Sequence, residues 1–369
     1  MTDTLPGAVG GASAQPPTQP PVPPRPASAG SLGITDVAKL AGVSAATVSR
    51  ALSGNGRVSA ATRAKVERVA QELGYVVSSN ASSLASGRTR NVGVVIPYLN
   101  TWYFSTLVEG AAATLRERGY DLTLYVLDGG GAQARESVFE NFLLRKRVDA
   151  VLAVALELTD DEVARLLTLG KPLVCVGGLI PGVRSLVIDN ERVSALATEH
   201  LIGLGHTRVA HVGGAVELDA DFHLGSARRL GYDTAMARHG LATGDDLYAA
   251  ADFTMQGGYH AAKQLLGRPD ARPTAIVAAS DEMAIGCLLA ARDLGLSVPR
   301  DVSVIGVDDH ELSPFFGLTT VAQHPDVQGR RAVDVLMTEL QPHEGDSALQ
   351  IDLPYELVVR STTARPPAP

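Results

Sequence analysis

The spacing of apolar and polar residues changes twice along the chain. From Ile34 to about Leu73, apolar positions recur at helical intervals in short pieces. Thr35 can cap a first helix from Asp36 to Leu40, with Val37, Ala38 and Leu40 as its apolar positions, and Gly42 interrupts it. Ser44 is the N-cap of a second helix that runs through Leu52, after which Gly54-Asn55-Gly56 breaks the pattern. Ser59 opens a third helix carrying Thr62, Val66, Val69 and Leu73, and Gly74 closes it. Three short helices of this kind make one small core.

Beyond Arg90 the pattern becomes strand–helix alternation. Strand-like runs are Val92 to Ile96, Leu122 to Leu127, Ala150 to Ala155, Leu173 to Val176, Val209 to Val212, Ala275 to Ala278 and Val302 to Val307. Helical segments lie between them, among them Phe104 to Arg118, Glu162 to Leu169, Val193 to Ile202, Gly257 to Leu266 and Glu282 to Leu294. Continuous β-branched runs separated by such helices predict parallel sheets covered on both faces. The strands are too many for one ordinary sheet. The expected fold is therefore α/β, an all-α headpiece followed by two doubly wound parallel-sheet lobes.

Composition adds boundaries to this picture. The first thirty residues hold eight prolines and almost no large apolar residue, so a disordered tail is expected there, with a polyproline II ligand as the rival reading. Residues 361–369 are expected to form a second, shorter tail. Two cysteines, Cys175 and Cys287, exclude a disulfide framework and a four-cysteine zinc site. No apolar run approaches the roughly 20 residues that cross a bilayer, and the N-terminus lacks the signature of a secretory signal, so a cytoplasmic protein is expected.

The net charge of −8 argues against nucleic acid only as an average. Residues 31–90 carry eight bases (Lys39, Arg50, Arg57, Arg63, Lys65, Arg68, Arg88, Arg90) against Asp36, Glu67 and Glu72, which is +5. The first thirty residues are neutral, so the remaining 279 hold −13. A basic module joined to an acidic body is the footprint of a nucleic-acid-binding head attached to something with another task. Within the head, Ala38, Gly42 and Val48 have the spacing of a helix-turn-helix, with Val37 and Val43 in its seam. The second helix then projects Ala45, Ala46, Ser49 and Arg50 outward, while Thr47 and the backbone at the helix start meet phosphate. A three-helix module that binds protein is the alternative.

The motifs Ile34-Thr-Asp-Val-Ala-Lys-Leu-Ala-Gly-Val-Ser44, Ala45-Ala-Thr-Val-Ser-Arg50, Val58-Ser-Ala-Ala-Thr-Arg63 and Leu73-Gly-Tyr75 resemble the N-terminus of the lactose-repressor/galactose-repressor (LacI/GalR) family, and the resemblance continues to about Arg360. It implies a homodimer that reads a pseudo-palindromic operator in double-stranded DNA. It places Thr35, Ser44, Ala45, Ala46, Thr47, Ser49, Arg50, Asn55 and Val58 in the DNA-binding set of residues 31–75. Ala45 and Ala46 can offer methyl groups to thymine, and Arg50 is either the direct reader of guanine or a phosphate clamp. Residues 76–90 match a hinge helix that folds on the operator, with Leu84 as the minor-groove wedge and Ala81 beside it. Val77 and Ser82 depart from the usual Pro and Arg.

For residues 91–360 the resemblance implies the periplasmic sugar-binding fold, with one lobe of residues 91–188 plus 323–352 and the other of residues 189–322. Ligands of such folds sit at strand ends facing a shared cleft. Candidate effector-binding residues are Trp102, Tyr103 and Phe104 after the first strand, and Phe253; for each ring, core packing is the rival role. Arg228 matches the family's ligand-binding arginine, with Arg229 a solvated surface charge. Ser280 stands where many relatives have Asn, Asp281 is expected to cap a helix, Asp308 is the strand-end carboxylate, and Gln323 lies at a crossover. This set suits a sugar, and a purine is the alternative. Gly129-Gly130-Gly131 is not a P-loop and no nucleophile motif appears, so neither catalysis nor a cofactor or metal is expected. The expected role is a repressor of carbohydrate genes, relieved or promoted by ligand through linkage.

Overall fold

In a computed structural model the described residues are 33–52, 57–75, 88–127, 136, 148–156, 158–168, 170–214, 223–340 and 349–367. Asn55, the hinge segment with Ala81 and Leu84, and the Pro-rich N-terminus lie outside them. The chain divides into two compact units, residues 1–86 and 87–369.

The smaller unit contains α1 (Ile34–Ala41), α2 (Ala45–Leu52) and α3 (Ala60–Glu72). Val37, Ala38, Ala41, Val48, Ala51, Val66, Val69 and Ala70 form its core. Gly42 takes φ +65°, which lets the chain turn from α1 into α2 without a Cβ clash. Ser44 caps α2 by accepting the Thr47 N–H at 3.2 Å, and Ser59 caps α3 by accepting the Thr62 N–H at 3.2 Å. The expected cap Thr35 is instead an exposed residue inside α1. Gly33 occupies the cap position, and its N–H donates to Asp36 Oδ2 at 2.8 Å. The Asp36 carboxylate thus makes the reciprocal contact of a capping box, to the N–H of the cap residue, and glycine has no side-chain oxygen to make the other.

The larger unit is built on two six-stranded sheets of the same order. The first runs β11-β5-β4-β3-β1-β2 and the second β12-β10-β9-β8-β6-β7. The first contains β1 (Asn91–Ile96), β2 (Asp121–Val126), β3 (Ala150–Val154), β4 (Leu173–Val176), β5 (Arg184–Val187) and β11 (Gln350–Asp352). The second contains β6 (Val209–Gly214), β7 (Tyr248–Ala251), β8 (Ala275–Ala278), β9 (Ser303–Asp308), β10 (Thr319–Ala322) and β12 (Glu356–Val358). All pairings are parallel except β10 with β12. β3, β4 and β8 are almost wholly Val, Ile, Leu and Ala, β1, β6 and β9 add glycines and a few polar residues, and all six are buried nearly along their length, as strands covered on both faces must be. β5, β7, β10, β11 and β12 were not expected from sequence. They are three or four residues long and draw on Thr, Ser, Gln and Ala, so they carry too little apolar signal to stand out.

Helices α4 (Trp102–Glu117), α5 (Asp160–Thr168), α6 (Asn190–Gly203), α7 (Leu224–Arg238), α8 (Met255–Leu266), α9 (Asp281–Asp293), α10 (Ser313–Phe316) and α11 (Pro325–Glu339) complete the unit among the described residues. The chain crosses between sheets after β5, after β10 and after β11. Residues 361–367 are not the expected tail. Thr362 is buried, its hydroxyl donates to Val304 O at 2.7 Å and accepts the Thr319 N–H at 2.9 Å, and the Ala364 N–H donates to Ser303 Oγ at 3.1 Å. The threonine hydroxyls fasten this segment to β9 and β10 despite the prolines that follow. No helix among the described residues is long and apolar enough to cross a membrane.

Three helix pairs approach so closely that only glycine fits between them. A Cβ at Gly329 of α11 would lie 2.1 Å from Leu107 O of α4, one at Gly231 of α7 2.1 Å from Glu191 O of α6, and one at Gly286 of α9 2.1 Å from Met255 O of α8. These obstacles are backbone atoms, so whole helices must move to relieve them. Gly286→Ala is expected to destabilise the protein by about 1–3 kcal/mol. Chemical denaturation measures this, and a change below about 0.5 kcal/mol, the range of an ordinary surface substitution, would show that the helices can separate freely.

Candidate functional site

The smaller unit presents the second helix of its helix-turn-helix with a defined outer face. Ala46 and Arg50, four residues apart, are both exposed on α2, and Arg50 Nε donates to Ala46 O at 3.1 Å. That bond pins the arginine stem to the helix and leaves its two terminal amino groups outside it. Ala45 was expected on the same face but is half-buried against the core with Val48 and Leu52, because residues three and seven apart share a helix face. Ser49 and Thr47 are half-buried, and the Thr47 hydroxyl lies 2.9 Å from Ser44 Oγ. Val58 packs against the core from the segment just before the third helix.

In the larger unit the C-terminal ends of the parallel strands surround a cavity of about 380 Å³. Seven of the eight candidate residues line it: Tyr103, Phe104, Arg228, Phe253, Ser280, Asp308 and Gln323. They come from six strand ends or the helices after them, with Tyr103 and Phe104 sharing α4, the arrangement that doubly wound sheets use for ligands. Trp102 does not line the cavity. Its indole lies tilted against the His310 ring with centroids 4.7 Å apart, and its backbone N–H donates to Glu282 Oε2 at 3.4 Å. Side chains of consecutive helical residues diverge by about 100°, so Trp102, Tyr103 and Phe104 cannot all face one cavity.

The rings that remain serve two masters. Phe104 is only 6% exposed and belongs to the core, meeting Tyr103 edge-on at 5.4 Å. Phe253 packs on the apolar cluster between the second sheet and helices α8 and α9 while lining the cavity. It lies over Gly214, where a Cβ would stand 2.6 Å from Phe253 Cε2. Asn190, Asp252, Thr254, Asn100 and Glu282 also line the cavity and were not singled out from sequence. Asn190 had a signal available, since it follows Asp189 at the crossover as Gln323 follows Ala322 at the return.

The polar groups form one connected set. Arg228 is buried, its Nε donates to Asn190 Oδ1 at 3.1 Å, and its Nη1 donates to Ala279 O. No carboxylate pairs with it among the described residues. Gln323 Nε2 donates to Asp308 Oδ1 at 2.6 Å, Gln328 Nε2 donates to Gln323 O at 2.8 Å, and Tyr103 OH donates to Gln328 Oε1 at 2.8 Å. Ser280, rather than the expected Asp281, caps α9 by accepting the Met283 N–H at 3.3 Å. Asp281 is fully buried instead and accepts hydrogen bonds from His310 N, Ser313 Oγ and Thr320 Oγ1 at 2.9, 2.6 and 2.7 Å. Arg229, expected in solvent, is half-buried, paired with Asp233 at 2.8 Å and laid over the Tyr248 ring at 4.1 Å.

Burial pushes the Asp308 carboxyl up to about 8; Arg228 opposes this, Asp281 and Glu282 reinforce it, and the Gln323 hydrogen bond opposes it again. Burial also raises Asp281 to about 6 against its three hydrogen bonds, and raises Glu282 against the Trp102 N–H. Asp308 (φ +123°) and Asp309 (φ +60°) both have positive φ, a pair that costs on the order of 1–3 kcal/mol per residue unless the surroundings fix it.

Residues 33–78 match the family described as bacterial regulatory proteins, lacI family, and residues 198–363 match the periplasmic binding protein-like domain. The ribose operon repressor of Escherichia coli (strain K12) is 35% identical over 322 residues, covering 86% of this chain and 96% of that protein. The HTH-type transcriptional repressor PurR of Vibrio vulnificus (strain CMCP6) is 31% identical over 338 residues, covering 90% and 98%. The lac repressor dimer, solved bound to operator and the anti-inducer ONPF, is similar with a TM-score of 0.78 at 28% identity, over 90% of this chain and 99% of that one. A helix-turn-helix head and a two-sheet body with a cavity at its strand ends together define a DNA-binding transcriptional regulator. The chain belongs to the lacI family of bacterial regulatory proteins, whose members are regulators.

The raised Asp308 carboxyl has a consequence for stability. In the unfolded chain this aspartate ionises near 3.8, and in the folded protein near 8. Its favourable contribution is complete below about pH 4 and is lost as pH rises towards 8. Thermal melts of Asp308→Asn against the parent are expected to show a relative gain for the variant that grows from pH 4 to pH 8. A constant difference across that range contradicts the elevated carboxyl.

Proposed function

We propose that this chain represses carbohydrate-utilisation genes and that its operator affinity is set by a small sugar or sugar derivative held between the two sheets. The observation that carries this reading is the convergence of Arg228, Asp308 and Gln323 with Phe253 and Tyr103 on one cavity. A buried guanidinium next to a carboxyl can hold neighbouring hydroxyls, and aromatic faces pack on the C–H face of a ring. The cavity volume suits a molecule of one or two rings. The protein acts as a dimer in the cytoplasm, reads a pseudo-palindrome and performs no catalysis. Ligand binding between the sheets alters DNA affinity, and DNA reciprocally alters ligand affinity. The −13 body is repelled by DNA, so contact falls to the +5 head and the hinge with Ala81 and Leu84, and affinity falls steeply with salt.

A gel shift on the protein's own upstream region, titrated with pentoses, hexoses and purines, tests this reading. The ribose operon repressor among the relatives puts D-ribose first in the panel. Sugar-dependent release or tightening is expected, whereas a response to purines alone would make the effector a nucleobase and sink the carbohydrate reading. Arg228→Ala is expected to weaken the effective ligand about 30-fold or more, the cost of losing charge-assisted hydrogen bonds, with DNA affinity in its absence preserved. Arg50→Ala is expected to lower operator affinity by about 1–3 kcal/mol while random-sequence DNA is bound nearly as before. Equal losses on both DNAs would make Arg50 a phosphate clamp.

A further inference from the structure

The turn that presents Asp308 is held from behind by a segment outside the cavity. Asp308 and Asp309 are successive non-glycine residues with positive φ, a conformation that persists only where neighbours over-determine it. Three contacts do so. The Asp309 N–H donates to Thr320 Oγ1 at 3.3 Å, the His310 N–H donates to Asp281 Oδ2 at 2.9 Å, and Arg360 Nη2 donates to Asp309 Oδ1 at 2.6 Å. The first two partners belong to β10 and α9. The third belongs to the C-terminal segment that follows β12. Arg360 is itself fixed, because its Nη1 donates to Leu318 O at 2.7 Å and its backbone N–H donates to Thr319 Oγ1 at 3.0 Å.

We propose that Arg360 is a positioning residue for the effector site, acting through Asp309 to hold the Asp308 turn so that the Asp308 carboxyl stays aimed into the cavity. This rests on the reading of Asp308 as an effector contact. The planar fork of an arginine spans two acceptors on different elements, with Nη1 on the Leu318 carbonyl before β10 and Nη2 on the Asp309 carboxylate after β9. The side chains of the pair are 19% and 27% exposed, so solvent screens them only in part. Released from Arg360, the turn relaxes, and the Asp308 carboxyl leaves its seat among Arg228, Asp281, Glu282 and Gln323.

The test follows the Asp308 carboxyl by nuclear magnetic resonance in the full-length chain, with aspartate carboxyls labelled with carbon-13 and the resonance assigned by its loss in Asp308→Asn. The double variant Asp309→Asn/Arg360→Ala removes one charge of each sign, so the titration midpoint of Asp308 reports geometry rather than a change in local charge. The midpoint is expected to fall by about one unit or more towards the ordinary carboxylate range. Arg360→Lys, which keeps a charge beside Asp309, is expected to restore most of the elevation. An unchanged midpoint in a folded double variant overturns the proposal. If the double variant does not fold, Arg360→Gln is titrated instead and judged by the same two outcomes.

A second arm measures D-ribose affinity by calorimetry. Arg360→Ala is expected to weaken binding about tenfold in the parent and less than about twofold when Asp308→Asn is already present. Equal losses in both backgrounds mean that Arg360 only supports the fold, and this overturns the proposal. If D-ribose does not bind the parent protein, the assignment of the sugar fails, and the titration alone decides the role of Arg360.

Discussion

The hydrogen bond from the Gln323 amide to the Asp308 carboxyl joins the two halves of the larger unit at the place where the chain passes from one to the other. Asp308 ends β9 in the second sheet, and Gln323 follows β10 at the return to the first. The Gln323 carbonyl in turn accepts from Gln328 at the start of α11, and Gln328 accepts from Tyr103 at the start of α4. One run of side chains therefore connects a strand end of one sheet with two helices of the other across the cavity. A ligand that competes for Asp308 acts on this whole set, because each member is buried or half-buried and has few alternative partners.

The same cavity concentrates charge that water would otherwise share. Among the described residues Arg228 has a side-chain amide and a backbone carbonyl for partners, while Asp308, Asp281 and Glu282 are each held away from their ordinary ionisation by burial. Burying three carboxyls around one guanidinium is costly unless their hydrogen bonds are met, which is why the Gln323, Ser313 and Thr320 contacts matter here. The glycines at the helix pairs contribute from a distance. By letting α4 and α11, and α8 and α9, approach to backbone contact, they fix the helices whose first turns carry Tyr103 and Glu282.

Much of the site was legible because doubly wound sheets place function at strand ends, and strand ends can be located from runs such as Val302 to Val307. Arg228, Phe253, Ser280, Asp308 and Gln323 follow from that rule and the family motifs. Trp102 was misplaced because three adjacent aromatics carry no mark of which one faces inward; the phase of α4 decides it. Asp281 stands next to a cap, which is all its sequence neighbours reveal, and its burial depends on Ser313 and Thr320, more than thirty residues away. Thr35 lies two residues past the actual cap, Gly33, and Ala45 one step from exposed Ala46 on a helix, where one position turns a side chain by about 100°.

By itself the sequence determined the division of charge between head and body, the helix-turn-helix spacing, the parallel-sheet class and the family. These depend on local periodicity and composition, which survive in one dimension. Only the tertiary structure decided that the C-terminal segment returns to β9 and β10, that Arg360 reaches Asp309, and that Gln323 meets Asp308. Those contacts join residues that are 15 to 61 positions apart. Their formation depends on how the strands order themselves in the sheet, and a linear pattern of short polar strands does not encode that order.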